Sequence, residues 1–168
     1  MRRLSDHTFE EWIEALARRS PTPAGGALAL VSLAGAAALA AKVARLTGMG
    51  AEPFDTMARA FLEGATRDGE SYAAAVRGGL AEVRACLSLG LEHLRSAVAF
   101  LESLGPLFSG LEPGLAADVA AAERIGRAAA QTCLVNLAVN LSAWSAAVDK
   151  AGELAVALKE LRARLAEA

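Results

Sequence analysis

From Ala24 to Ala41 the chain reads AGGALALVSLAGAAALAA, eighteen residues without a charge, and the next charge is Lys42. Few folds accommodate such a run. It just reaches the length of a helix that crosses a bilayer. It is mostly alanine and glycine, however, and these favour insertion far less than leucine, isoleucine or phenylalanine. The better expectation is a helix apolar on every side, buried inside a bundle. The remainder of the chain agrees: 54% of residues are hydrophobic but only 5% aromatic, so the core is packed from small side chains. That composition suits helices at close range.

Helical periodicity runs through the whole sequence and no strand alternation interrupts it. Thr8 and Glu11 form a capping-box pair, after which Phe9, Trp12, Ile13 and Leu16 share a face. The first helix stops before Ser20, because a residue preceding proline avoids the helical region. A second runs from about Gly26 to Leu46 and ends at Gly48 and Gly50. Pro53 opens a third, with Phe54, Met57, Phe61, Leu62 and Ala65 leading towards Val76. Gly78 and Gly79 mark a break. The fourth spans about Leu80 to Leu104, on a stripe of Val83, Leu87, Leu91, Leu94 and Val98. GPLFSGLEPG, Gly105 to Gly114, reads as a loop. The longest helix follows from about Leu115 to Val148, then Gly152 and a charged last helix. The expected fold is all-α: one domain, 1–168, forming a roughly up-and-down bundle of five or six helices.

Charge and cysteine content narrow the function. Seventeen basic and 19 acidic residues leave a net charge of -2, which gives no electrostatic footprint for nucleic acid. Cys86 and Cys133 lack metal-ligand spacing and read as buried, reduced thiols of a cytoplasmic protein. The opening MRRLSDHTFEEW has no apolar segment behind its arginines, so it does not read as a signal peptide. His7 and His93 have no sequence partner for triad or zinc chemistry, and both read as surface residues.

Three features carry chemistry. In SPTPAGGALAL, Ser20 to Leu30, two prolines stiffen the chain, and Gly25 and Gly26 permit a close backbone approach. The helix that starts there offers unpaired N–H groups to an anion. A rigid turn between helices explains the same residues. Asp68, with Tyr72 one turn on, is either a solvated mid-helix carboxylate or, if buried, an acid/base. Thr132, Asn136 and Asn140 recur every four residues in an apolar helix. Buried asparagines need partners for both ends of the amide, so this ridge is a ligand wall, a polar network or a subunit contact.

The order of these features resembles the cyclodeaminase domain of formiminotransferase-cyclodeaminase and its free-standing bacterial relatives, including methenyltetrahydrofolate cyclohydrolases. The resemblance implies an all-helical homodimer that acts on a folate, with no bound cofactor, no metal and no membrane span. It implies that Asp68 is catalytic, with Tyr72 at the neighbouring aromatic position. It assigns substrate contacts to Pro23, Gly25, Gly26, Tyr72, Asp118, Asn136 and Asn140. The implied reaction turns 5-formiminotetrahydrofolate into 5,10-methenyltetrahydrofolate and ammonia. The sequence departs from the family's Pro-Gly-Gly-Gly-Ser at Ala24 and Ala27, and its loop after the aromatic is shortened to VRGGLAEVR. A helical dimer with only a binding or structural role is the alternative.

Overall fold

The computed structural model describes residues 8–145 and 151–168. Expectations for the first seven residues, including a solvent-facing His7, and for a helix end at Val148 lie outside them. Among the described residues six α-helices follow in order: α1 (Phe9–Ala17), α2 (Gly25–Leu46), α3 (Glu52–Arg77), α4 (Leu80–Ser103), α5 (Pro113–Trp144) and α6 (Ala151–Glu167). No strand occurs among the described residues.

The helix ends follow local chemistry. Thr8 caps α1: its hydroxyl accepts from the Glu11 amide, while its own amide donates to the Glu11 carboxylate. α3 starts one residue before Pro53 and α5 starts at Pro113, where a missing N–H costs no helical bond. α5 therefore opens inside the segment read as a loop. That loop also holds a 3₁₀ turn, Gly105–Phe108, whose Leu107 is buried. Gly79 donates its amide to the Glu82 carboxylate and opens α4. Gly152 sits in the first turn of α6 rather than before it.

α2 packs between α3 and α5, and α4 closes the ring on the opposite side. Each neighbouring pair runs antiparallel. Gly26 meets Asp68 while Arg45 pairs with Asp55, so α3 returns along α2. Phe54 meets Phe100 while Gly64 meets His93, so α4 returns along α3. Gly90 faces Leu137 and Gly126 faces Phe100, which sets α5 against α4. The result is an up-and-down four-helix bundle, with α6 lying against α4 and α5.

The uncharged run is the core helix of this bundle. α2 is long and apolar enough to cross a membrane, but 61% of its apolar window is buried inside the fold. Leu33, Ala36, Ala37, Ala40, Ala41, Val43 and Ala44 are fully buried. At the far end of the bundle Phe100 stands edge-on to Phe54 and Phe61, at ring separations of 6.5 and 6.2 Å. Burying each such ring contributes about 2–3 kcal/mol. All five residues of the α4 stripe are buried. Two apolar expectations fail. Trp12 alone of the α1 stripe is buried, with Phe9 and Ile13 exposed, and Leu62 on α3 faces outward.

Candidate functional site

A cavity of about 290 Å³ opens where the N-terminus of α2 meets the middles of α3 and α4 and the C-terminal third of α5. The turn before α2 forms one edge through Pro21, Thr22 and Ala24. Pro23 lies within that turn, behind a cis Thr22–Pro23 peptide, and is not itself part of the cavity lining. Ala24 is the N-cap of α2 and caps nothing with its side chain. The amides of the first turn have no carbonyl one turn back to bond, so the positive end of α2 faces this region.

Asp68 projects from α3 against that helix end. A β-carbon built on Gly26 would stand 2.5 Å from Oδ2 of Asp68, so the carboxyl lies directly over the glycine. Gly25 approaches α5 in the same way, its β position 3.5 Å from Nδ2 of Asn136. Two glycines in sequence thus serve two walls. Tyr72 lines the cavity one turn beyond Asp68 and packs its ring on Trp144, 5.9 Å between centroids. Asn136 and Asn140 line it from α5. Thr132 does not share their role: its hydroxyl donates to the Ala128 carbonyl within its own helix.

Burial pushes the Asp68 carboxyl up from its ordinary 3.8 to about 6. Removal from water disfavours the charged form. The thiols beside it respond in the same sense. Burial, with the Asp68 charge adding, raises Cys133 to about 12. Burial also raises Cys86, against a hydrogen bond with Ser71 that lowers it. Both cysteines are free, buried and part of the cavity wall. Among the described residues no group of three or more His, Cys, Asp or Glu converges on a metal position.

Two placements correct the sequence reading. His93 is not a surface residue. It is buried on α4, lines the cavity, and brings Nδ1 to 3.9 Å from Oδ1 of Asp68. Its charged neighbour Glu92 made it look exposed. The usable signal was spacing, since Cys86, Gly90 and His93 fall on one face of α4. Asp118 does not join the site. It pairs with Lys42 at 2.7 Å, sixteen residues along α2 from Gly26, or about 24 Å at the rise of a helix.

Residues 8–78 match the family model described as formiminotransferase-cyclodeaminase. The match is a similarity over the first part of the chain, short of half its length. The family segment spans α1 to α3 and so contains the Pro23–Gly26 turn, Asp68 and Tyr72. The other half of the cavity, contributed by α4 and α5, lies beyond the matched segment. There the likeness is one of fold. The crystal structure of formiminotetrahydrofolate cyclodeaminase from Thermotoga maritima matches with a TM-score of 0.72 and 21% identity, over 97% of this chain and 96% of that one. No curated protein matches the chain in sequence.

Proposed function

We propose that this protein is a folate-handling cyclodeaminase with Asp68 as its acid/base. In the reaction N10 of 5-formiminotetrahydrofolate attacks the formimino carbon and a C–N10 bond forms. The bond from that carbon to the terminal nitrogen then breaks. Ammonia leaves and 5,10-methenyltetrahydrofolate remains. One proton must come off N10 and one must reach the departing nitrogen. A carboxyl group that titrates near neutrality can take the first and return it as the second. The cyclohydrolase reaction starts from that bicyclic folate; there a proton comes off the attacking water and one reaches the folate nitrogen released as the ring opens, and the same carboxyl can carry both, so it belongs to the same proposal.

The observation that carries this reading is the Asp68 carboxyl, raised to about 6 and lying over the Gly26 end of α2 inside the cavity. The first-turn amides of α2 suit a substrate oxygen or developing negative charge. Asn136 and Asn140 offer donors and acceptors to a pterin edge. At about 290 Å³ the cavity sits at the low end for small-molecule sites. That volume suits the reacting ring system, with the anionic tail extending outside. The reading has no resident cofactor and no metal, and it is cytoplasmic. It includes a homodimer, for which exposed Leu28 on α2 and Val135 and Val139 on α5 supply apolar surface.

Methenyltetrahydrofolate absorbs where the formimino compound does not, so product formation is followed directly. The wild type forms it, and Asp68→Ala loses roughly 10²–10⁴-fold in rate. If the wild type turns over neither formimino nor methenyl folate, and calorimetry finds no folate binding, the enzyme reading is wrong.

A further inference from the structure

The proposed chemistry uses one carboxyl, yet the cavity contains a second proton-exchanging side chain in contact range of it. His93 is the one charged or polar side chain that is buried among the described residues. A histidine reaches this position because α3 makes space for it. A β-carbon on Gly64, one turn before Asp68, would stand 3.1 Å from Nε2 and 3.5 Å from Cδ2 of His93. The far edge of the ring lies on that glycine and the near edge, Nδ1, faces Asp68 at 3.9 Å. Gly64 and Asp68 thus form one ridge that grips the imidazole from two sides.

We propose that His93 is the positioning residue for Asp68: its Nδ1–H, aimed from α4, orients the carboxyl in the cavity and sets the pH at which it exchanges protons. At 3.9 Å the two atoms are not hydrogen-bonded, and the imidazole acts on the carboxyl as a dipole across a short gap. Burial first, and then the Arg67 guanidinium, hold the imidazole down to about 4, so at neutral pH it is an uncharged N–H donor. An N–H facing a carboxylate favours its ionised form, which would oppose burial, the cause of the raised Asp68 value. The other titratable groups facing Asp68 are Tyr72 on α3, Cys86 on α4 and Cys133 on α5. α2 presents Gly25, Gly26 and Leu30 to the cavity and contributes no charge.

The test reads Asp68 directly, by the pH dependence of its carboxyl carbon signal in labelled protein. His93→Leu removes the donor and is expected to raise the Asp68 midpoint by about one pH unit. His93→Asn places an amide N–H where Nδ1 stood and is expected to restore the wild-type midpoint. Where His93→Leu does not fold, His93→Phe keeps a ring without nitrogens and is read in the same way. An unchanged midpoint in the apolar variant, or an equal shift in the apolar and Asn variants, overturns the proposal. The kinetic arm rests on the function proposed above. The acid limb of kcat/KM moves up with the midpoint in His93→Leu, kcat falls by about tenfold, KM stays near its wild-type value, and His93→Asn recovers both. A wild type inactive on folates would sink the function while leaving the titration to judge His93.

Discussion

Oδ2 of Asp68 lies 2.5 Å from the point where a β-carbon on Gly26 would sit. The carboxyl and the start of α2 therefore occupy their positions only while residue 26 has no side chain.

Gly26→Ala is accordingly expected to separate activity from stability. The atom it meets is the end of a short side chain that can rotate away, so the stability cost stays below about 1 kcal/mol. The carboxyl then leaves its place, and a displacement of about 1 Å lowers kcat/KM by roughly 100-fold. Parallel denaturation and turnover measurements decide it. Equal losses in both would mean that Gly26 is needed for packing alone.

Asp68→Asn should abolish turnover and raise stability at pH 7. With the folded carboxyl at about 6 and the unfolded one at 3.8, the folded state keeps a proton that the unfolded state has lost. Stability therefore falls as pH rises through that window. Partial exposure limits the effect to about 2 kcal/mol at pH 7, or roughly 4–8 °C in Tm. The advantage of Asn should vanish below about pH 4. A Tm at pH 7 equal to or below that of the wild type contradicts the burial of this carboxyl.

His93 gives the opposite slope. Its folded value of about 4 lies below the unfolded 6.5, so the unfolded state binds the extra proton and stability rises with pH between the two. In the wild type the two slopes nearly cancel between about pH 4 and 6, where the windows overlap. Asp68→Asn should expose the rise and His93→Leu the fall, seen as oppositely tilted curves of urea midpoint against pH. Three parallel curves would refute the pairing.

Gly126→Ala should do the reverse of Gly26→Ala. Its β-carbon would stand 2.7 Å from Cε1 of Phe100, a ring fully buried against Phe54 and Phe61. Overpacking there costs about 1–3 kcal/mol. The cavity is lined by none of these residues, so turnover per folded molecule at low temperature is expected to be unchanged.

Asp118→Ala removes an exposed pair with Lys42 at the end of the bundle away from the cavity. The expected stability loss is below about 1 kcal/mol, and kcat/KM should stay within about twofold. A tenfold rise in KM would return Asp118 to the substrate.

The residue pattern alone established the helices, the turn before α2 and the Asp68–Tyr72 spacing, because each is written within a few turns of chain. A run of small uncharged residues is satisfied by burying most of its surface, with Leu28, Gly35 and Ala38 left on one exposed stripe here, and a Pro-rich segment ending in Gly-Gly must break one helix and begin another. Which faces of different helices meet was decided by tertiary packing. His93 looked exposed beside Glu92, but the rotation of α4 against α3, permitted by Gly64, carried it to Asp68. Asp118 and Asn136 share α5, yet eighteen residues of helix place them at opposite ends of the bundle. Periodicity specifies a face of one helix. The antiparallel pairing and small-residue contacts determine what that face touches, and that brought one carboxyl, one imidazole and two amides around the end of α2.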